Sequence, residues 1–281
     1  MHYHVKDISL AVDGKKKIDW AEAHMPVLVA LKHRYQSEKP LEGIRIAGCL
    51  HVTCNPLSTQ DDVAASLAID EHVSVFARRG ISTKEYYDDI HSVIGIGPNI
   101  TIDDGADLTV EMHKNMNGSK SVIYGGTEET TTGVVRLRAL QNAGKLKYPI
   151  MAVNDAETKH DFDNVYGTGQ SALDGIIRAT NILFAGKNVV VAGYGHVGKG
   201  IAKRAAGMGG NVIVTEVDPI AALKAKLDGF SVAQMISASE IGDVFITTTG
   251  CKDVIAGEDI SAMKDGLNPG HRGTICKPET N

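Results

Sequence analysis

The stretch NVVVAGYGHVGKGIAKRAAGMGGNVIVTEVDP, residues 188–219, decides the fold. The β-branched run at residues 189–192 predicts a strand, and a glycine-rich turn follows it at once. Residues 201–208 predict a helix, and the apolar residues at 211–215 predict a second strand. A strand, a glycine-rich turn, a helix and a strand in this order predict the first βαβ unit of a doubly wound parallel sheet, the Rossmann arrangement.

The glycines of the turn fit the requirements of a dinucleotide fingerprint. Gly193 allows the tight turn, Gly195 lets the backbone approach a pyrophosphate, and Gly198 lets the helix and strand pack closely. The following helix offers its N-terminal N–H groups to the phosphates. Glu216, 18 residues after the last glycine, can accept hydrogen bonds from both ribose hydroxyls and would repel a 2′-phosphate. The pattern favours NAD over NADP; the alternative is a glycine-rich turn in a domain without a ligand.

The rest of the chain continues the alternation of strands and helices. Apolar runs predict strands at residues 44–50, 73–77, 99–103, 150–154 and 243–249. Apolar periodicity predicts helices at residues 19–38, 61–71, 83–93, 127–143 and 169–184. The sequence therefore predicts an α/β protein with an N-terminal α/β substrate and catalytic domain, residues 1–185, and an incomplete Rossmann domain that binds NAD, residues 186–281.

Composition restricts the class of protein. The 281 residues carry a net charge of −5, which gives no general attraction to nucleic acid or anionic membranes. The four cysteines include no C-x-x-C pair, which indicates a reducing compartment. The N-terminus lacks the apolar core of a secretory signal, and no apolar run approaches the ~20 residues that span a bilayer. These features predict a soluble, cytoplasmic protein.

An acidic turn follows the predicted strand 99–103. The segment DDGAD places Asp103, Asp104 and Asp107 close together, and crowded carboxylates raise one another's pKa, which suits acid–base work. A turn that caps the next helix is the alternative. No metal site is expected here or elsewhere, since no histidine cluster has ligand spacing.

Two further polar segments are candidates for sugar binding. In TKHDFDN, Lys159 and Asp163 stand four residues apart and share a face on a helix, with Asn164 beside them. They can hold a sugar hydroxyl or form a solvated ion pair. Glu128 and Glu129, followed by three threonines, can bind sugar hydroxyls or cap a helix.

Positions at the ends of two strands are less specific. Thr247, Thr248 and Gly250 follow the strand 243–249 on the cofactor side of a doubly wound sheet, where they can line the nicotinamide half or form a threonine-rich turn. His51 follows a buried strand, and a histidine there is either structural or catalytic.

Nine ordered segments, from about residue 20 to 265, together resemble the S-adenosylhomocysteine hydrolase family. They include AGCLHVT, CNPLSTQDDVAA, IDDGADLT, EETTTGV, VNDAETKHDFDNVYGTGQSALDGIIRAT and AGKNVVVAGYGHVGKG. The resemblance implies hydrolysis of S-adenosylhomocysteine to adenosine and homocysteine, a reaction of the methyl cycle and one-carbon metabolism. It also implies that NAD is a recycled prosthetic group, which oxidises the ribose 3′-hydroxyl before homocysteine leaves and is restored afterwards.

The resemblance assigns roles to individual residues. Asp104 matches the family's acid–base aspartate, and Lys159 matches the lysine that assists deprotonation of the 3′-hydroxyl. With the residue patterns above, the predicted catalytic residues are Asp104, Lys159, Asp163, His51 and Glu129. The predicted substrate-binding residues are Thr53, Asn154, Glu129, Lys159 and Asp163. The predicted cofactor-binding residues are Gly193, Gly195, Gly198, Glu216, Thr130, Thr131, Thr132, Asn164, Thr248 and Gly250.

The sequence departs from the family pattern at four places, one of which is Ala221, where members often have Asn near the adenosine ribose. Thr53 runs directly into Cys54, where family members carry a helix, a strand and residues that recognise the base. His196 stands where many members have Asp. After MKDG the chain continues as LNPGHRGTICKPETN, in which His271 is a candidate for the histidine of the family's Asn-x-Gly-His motif. The sequence therefore resembles an internally deleted and C-terminally truncated member.

These departures leave three functions open. The first is hydrolysis of S-adenosylhomocysteine, the second is the sister reaction on S-inosylhomocysteine, and the third is NAD binding by a chain without turnover. The partners expected are a small-molecule substrate and, since family members assemble, further copies of the chain. A sheet that stops early exposes an edge, so we expect low turnover from the isolated chain.

Overall fold

The computed structural model describes residues 2–50, 59–70, 73–115, 122–264 and 274–276, with the backbone alone for Asn115 and 274–276. The chain divides into two compact units, Met1–Val153 and Asn154–Asn281. Both are α/β units built on parallel sheets. Among the described residues no helix is long and apolar enough to cross a bilayer.

The first unit alternates strands and helices along the chain. Its elements are β1 (His4–Val5), α1 (Ala11–Ala23), α2 (Pro26–Tyr35), β2 (Ile46–Cys49), α3 (Asp61–Ile69), β3 (Phe76–Ala77), α4 (Thr83–Gly95), β4 (Ile100–Asp103), α5 (Asp107–Asn115), β5 (Gly125–Glu128), α6 (Thr131–Asn142) and β6 (Ile150–Ala152). In the described part of the chain, β2, β4, β5 and β6 form one parallel sheet in that order, and β1 pairs with β3.

Strand register brings the polar ends of this sheet together. Cys49, Asp103 and Glu128 are paired across β2, β4 and β5, so their carboxyl-terminal turns start at the same edge. Ile90 of α4 and Leu108 of α5 belong to the core against the sheet. Burying each such side chain contributes about 1.5–3 kcal/mol, which fixes the edge on a rigid support.

The second unit has the Rossmann arrangement. After a π-helix at Lys159–Thr168, its elements are α7 (Gly169–Thr180), β7 (Asn188–Ala192), α8 (His196–Gly207), β8 (Asn211–Thr215), α9 (Pro219–Leu227), β9 (Ser231–Val232), α10 (Met235–Ile241), β10 (Val244–Thr247), α11 (Gly257–Ala262) and β11 (Thr274–Cys276). The described strands form one parallel sheet in the order β11-β10-β7-β8-β9. The order reverses between β7 and β10, and ligands bind at such a switch point.

The core of this unit is formed largely by the strands and the helix of residues 188–219. Val189 and Val191 of β7, Val214 of β8 and Ile246 of β10 are fully buried and pack with Ile201 of α8. A strand covered by helices on both faces reads as a continuous apolar run, as β7 does. The α/β class and the parallel doubly wound sheet predicted from the sequence are confirmed.

At two places the difference between the structure and the sequence prediction has a local physical reason. The helix predicted at 19–38 is two helices, because Pro26 begins α2 and Met25 before it leaves the helical conformation. The strand β5 was missed and its residues were assigned to a helix start, because GGTE has low strand propensity. Its glycine is required by packing: a Cβ at Gly126 would overlap Oγ1 of Thr101 on β4.

The boundary between the compact units lies after Val153, whereas the sequence predicted a domain boundary after residue 185. The difference is the π-helix and α7, which pack against α8. A Cβ at Gly200 of α8 would overlap the carbonyl oxygen of Val165 in the π-helix, and one at Gly169 of α7 would lie 2.8 Å from the carbonyl carbon of Gly200. These close approaches join the segment to the second unit.

Candidate functional site

The glycine-rich turn of the second unit has the geometry that the fingerprint predicts. Gly193 has a φ of +103°, and a Cβ there would lie 2.7 Å from Oγ1 of Thr248. Gly195 is exposed, and a Cβ there would meet no described atom within 4 Å. A Cβ at Gly198 would overlap the carbonyl oxygen of Gly193. Gly193 therefore makes the tight turn, Gly195 leaves the backbone open and Gly198 allows close packing, as the fingerprint predicts.

The turn is tied to the end of the neighbouring strand β10. Thr248 donates its hydroxyl hydrogen to the carbonyl oxygens of Ala192, at 2.9 Å, and Gly193, at 3.1 Å. Its backbone N–H also donates to the carbonyl of Ala192, at 2.8 Å. Gly250, with a φ of +65°, supplies the reversal that follows. Thr248 thus holds the turn in shape, a role that the sequence pattern did not indicate.

Glu216 lies at the end of β8, and its carboxylate closes the turn from the other side. It accepts hydrogen bonds from the backbone N–H groups of Tyr194 at 2.6 Å, Val217 at 2.8 Å and Asp218 at 3.1 Å. A cavity of about 600 Å³ opens beside it, lined among others by Gly193, Glu216 and Asp253. The carboxylate is therefore placed at the rim of a space large enough for part of a nucleotide.

The π-helix arranges the predicted sugar-binding group. The Nζ atom of Lys159 lies 2.6 Å from Oδ1 of Asn164 and 2.8 Å from a carboxylate oxygen of Asp163. Asn164 in turn donates from Nδ2 to Oδ1 of Asn154, at 3.2 Å. Both asparagines are buried, and only 13% of the Lys159 side chain is exposed. The wider turn of a π-helix puts residues i+4 and i+5 beside residue i, so the lysine contacts both partners.

The three aspartates of the first unit lie in different surroundings. Asp103 is fully buried and accepts hydrogen bonds from the N–H groups of Thr109, at 2.7 Å, and Asp104, at 3.1 Å. Asp107 accepts from the hydroxyl of Tyr86 at 3.0 Å and pairs with Arg136 at 2.9 Å. The pKa of Asp103 is raised chiefly by burial, and the charge of Asp107 adds little. The expected crowding of carboxylates is therefore a minor cause.

Asp104, the predicted acid–base group, is buried at the start of the turn after β4. Its N–H donates to the carbonyl oxygen of Cys49 at the end of β2, at 3.1 Å. With the bond that the same N–H makes to the Asp103 carboxylate, the backbone is held on two sides. The ends of the parallel strands β2 and β4 thus fix the position of the Asp104 backbone, from which the carboxyl group extends.

Glu128 precedes the predicted site residue Glu129, and its contacts were not predicted from the sequence. Its Oε1 accepts hydrogen bonds from the N–H of Gly105 at 2.9 Å, the N–H of Thr130 at 2.9 Å and the hydroxyl of Thr130 at 2.7 Å. It is fully buried, and burial raises its pKa. Glu128 therefore joins the turn that carries Asp104 to the turn that carries Glu129.

The threonines after Glu129 are divided between two environments. Thr130 is the N-cap of α6 and accepts from the N–H of Gly133, at 3.1 Å, so the helix-cap interpretation holds for this residue. Thr131 is exposed and Thr132 is half-buried at the start of the helix. Glu129 is half-buried, and its N–H donates to the carbonyl oxygen of Asp103 at 3.0 Å. The predicted residues His51, Thr53 and His271 lie outside the described residues.

Comparison with known families covers both units. The sequence profile described as S-adenosyl-L-homocysteine hydrolase, NAD binding domain, matches residues 164–275. The profile described as S-adenosyl-L-homocysteine hydrolase matches residues 2–55 and 52–124. The two pieces of the second match meet where the sequence runs from Thr53 directly into Cys54. A segment of the family pattern is therefore missing at this point.

Individual relatives give the same result. The chain is 55% identical to an adenosylhomocysteinase of Saccharolobus solfataricus and 53% identical to one of Aeropyrum pernix. It is 52% identical to an S-inosyl-L-homocysteine hydrolase of Methanocaldococcus jannaschii. Each match covers 96% of this chain and 70% of the relative, so the chain spans about 70% of the length of these proteins.

Proposed function

The chain belongs to the S-adenosylhomocysteine hydrolase family, and from this membership we propose that it hydrolyses S-adenosylhomocysteine to adenosine and homocysteine, with NAD as a recycled prosthetic group. The observation that carries the proposal is the match to adenosylhomocysteinases over 96% of the chain. The reaction would place the protein in the methyl cycle of one-carbon metabolism.

The described residues fit NAD. Gly195 leaves open space above the backbone, and no side chain in the described part of the molecule caps the helix that begins at His196. The N–H groups of this helix end suit a pyrophosphate, and Glu216 at the rim of the cavity suits ribose hydroxyls. We propose that Gly193, Gly195, Gly198 and Glu216 hold the dinucleotide. The further contacts proposed are Thr130, Thr131, Thr132, Asn164, Thr248 and Gly250.

When bound, NAD supplies reversible oxidation at the ribose 3′ carbon, which acidifies the neighbouring C4′–H bond. Lys159 is proposed to hold the 3′-hydroxyl through Nζ and to assist its deprotonation. Asp163 and Asn164 orient this amine through their contacts of 2.8 Å and 2.6 Å. Asn154 fixes Asn164 through the bond between their side-chain amides. The four side chains act as one positioned group on the sugar.

Asp104 is proposed as the acid–base group that removes the C4′ proton and returns it. A buried carboxyl anchored through its backbone at a strand end is held in one place, as proton transfer requires. Glu129 is proposed to accept hydrogen bonds from the ribose hydroxyls. His51 and Thr53 keep their predicted substrate-side roles.

A second candidate substrate is S-inosylhomocysteine. The observation that favours it is the 52% identity to the S-inosyl-L-homocysteine hydrolase of Methanocaldococcus jannaschii, close to the value for the adenosylhomocysteinases. The residues that recognise the base fall in the segment missing between Thr53 and Cys54. The two thioethers must therefore be compared directly.

The proposal is tested by incubating the purified chain, with NAD, with each thioether and measuring the free thiol of homocysteine. We expect thiol release from S-adenosylhomocysteine, in excess of that from S-inosylhomocysteine. Lys159→Met removes the amine proposed to assist deprotonation of the 3′-hydroxyl and abolishes release, whereas the exposed Lys226→Met leaves it unchanged. Release from neither thioether, with NAD bound, would mean that the chain binds NAD without turnover.

The cellular setting is proposed on two observations. The sequence has four cysteines and no C-x-x-C pair, so we propose a reducing compartment, the cytoplasm. Helix α2 exposes Val27, Leu28 and Leu31, which suits an interface with another copy of the chain. Light scattering of the purified protein should give the mass of an oligomer.

A further inference from the structure

Three potential metal ligands meet in the second unit, apart from the Lys159 group. We propose that His160, Asp161 and His196 form a site for a divalent transition-metal ion of the Zn²⁺ class. His160 and Asp161 lie near the start of the π-helix, and His196 is the first residue of α8. The sequence predicted no metal site because His196 is distant along the chain from the adjacent His160 and Asp161, and only the fold brings the three together.

The donor atoms have the spacing of a coordination sphere. The distance from Nε2 of His160 to Oδ1 of Asp161 is 3.6 Å, and that from Nδ1 of His196 to the same oxygen is 3.3 Å. One ligand atom from each of the three residues lies within 4.8 Å of the others. Metal–ligand bonds of about 2.0–2.1 Å in a tetrahedron separate the donors by about 3.4 Å, so small side-chain shifts complete the site.

The histidine in the π-helix is oriented as a ligand. Nδ1 of His160 lies 3.3 Å from the backbone carbonyl oxygen of Asn154, which can only accept a hydrogen. When Nδ1 donates to this carbonyl, Nε2 is the ring nitrogen available to a metal ion, and it lies 3.6 Å from Oδ1 of Asp161. Metal-binding histidines are held in this way, with the second ring nitrogen donating to a carbonyl or carboxylate. This contact of Nδ1 is a separate observation from the distances between the three donor atoms.

The two elements that carry the ligands are locked together. A Cβ at Gly200 of α8 would overlap the carbonyl oxygen of Val165 in the π-helix. Arg204 of α8 donates from a guanidinium nitrogen to the same carbonyl oxygen, at 3.0 Å. The rings of His160 and His196 are consequently 4.4 Å apart between centroids. A site whose ligands are held by backbone packing loses little entropy when it binds an ion.

The ligand set selects the class of ion. Two imidazoles and one carboxylate suit Zn²⁺, Ni²⁺ or Cu²⁺, whereas Mg²⁺ and Ca²⁺ prefer oxygen ligands. Three protein ligands leave one position of a tetrahedron for water or another oxygen ligand. The carboxylate of Asp161 also offsets the positive end of α8, which would otherwise oppose a cation.

The test is a calorimetric titration of the full chain, first treated with a chelator, with ZnCl₂. We expect one tight equivalent for the wild type. His160→Ala, Asp161→Asn and His196→Ala each weaken binding by about 100-fold or more, beyond the roughly 10–100-fold of lost outer contacts. His91→Ala is the matched control, because His91 faces Glu111 at 3.2 Å without belonging to the three-ligand cluster, and it binds as the wild type does.

Two measurements on the wild type keep the test independent of variant folding. Co²⁺ should give the intense visible bands of four-coordinate cobalt, and Zn²⁺ should protect His160 and His196, but not His91, from diethyl pyrocarbonate. Equal Zn²⁺ affinity in the wild type and Asp161→Asn, or equal modification of the three histidines with and without Zn²⁺, would overturn the proposal and leave a set of ion pairs.

Discussion

At the scale of single residues, Glu216 does two things at once. Its carboxylate accepts the backbone N–H groups of Tyr194, Val217 and Asp218, and so connects the glycine-rich turn to the end of β8. The same charge lies at the rim of the cavity, where a 2′-phosphate would be repelled. The turn geometry therefore depends on one side chain, which is also the one that we propose selects the cofactor.

Replacing this carboxylate should change the choice of dinucleotide. Glu216→Gln keeps an acceptor oxygen but removes the charge, so we expect NAD affinity to fall about tenfold, the value of a hydrogen bond to a charged group, and NADP affinity to rise. Calorimetry with both dinucleotides measures the ratio. The exposed Glu240→Gln should leave it unchanged. A ratio in Glu216→Gln equal to that of the wild type would contradict this role.

The buried carboxyls of the first unit hold their protons more tightly when the chain is folded. Burial raises the pKa of Glu128 and of Asp103. The folded state therefore binds these protons in a pH range where the unfolded state has released them. The contribution of each group to the free energy of unfolding is complete below the ordinary pKa, 4.5 for Glu128, and falls as pH rises towards the folded pKa.

Removing one of these titrations should flatten the pH dependence of stability. In Glu128→Gln the side chain cannot ionise, so the difference in unfolding free energy between wild type and variant changes by up to about 1.4 kcal/mol per pH unit above pH 4.5. Urea denaturation at a series of pH values measures it. Glu42→Gln, an exposed site in the same unit, should run parallel to the wild type. A Glu128→Gln curve parallel to the wild type would show that Glu128 ionises freely.

At the scale of elements, the π-helix brings together Lys159, Asp163 and Asn164, the side chains proposed to bind the sugar. An α-helix would place Asp163 beside Lys159 and turn Asn164 away, whereas the observed contacts include both. The wider helix also carries Val165 against α8, where Gly200 allows backbone contact. The same π-helix thus determines both the contacts of Lys159 and the packing of this segment against α8.

The close approach of these helices predicts opposite effects of the same substitution at two glycines of α8. Gly200→Ala would force its Cβ into the Val165 carbonyl and should lower the unfolding free energy by about 1–3 kcal/mol or more. Gly207→Ala meets no described atom within 4 Å and should raise it by up to about 1 kcal/mol, through helix propensity. Thermal or urea unfolding measures both. Equal effects would mean that the helices do not touch at Gly200.

The sequence predicted the elements whose signal is local. The βαβ unit of β7, α8 and β8 could be predicted because apolar runs and glycine spacing determine it. The strand β5 could not, since Gly126 is required by its contact with Thr101 on the neighbouring strand β4 and Gly125 lies against Pro149. The family resemblance selected Glu129, but the contacts of the buried Glu128 with the turn at Gly105 could not be predicted, because they depend on which strand ends lie side by side.

At the scale of the whole molecule, the two compact units carry different parts of the proposed chemistry. The first holds the buried carboxyls around Asp104, and the second holds the glycine-rich turn and the Lys159 group. In the described part of the second unit the sheet ends at β11, and the chain spans 70% of the length of its relatives. The proposed reaction therefore depends on binding of the dinucleotide by the glycine-rich turn of the second unit.

The most direct test identifies the nucleotide that the protein holds. The purified chain is incubated with an equal mixture of NAD and NADP, freed of unbound nucleotide and denatured, and the released molecules are identified by mass spectrometry. We expect NAD, close to one per chain, held by the Gly193–Gly198 turn and by Glu216. Release of NADP in preference, or of no dinucleotide at all, would contradict it.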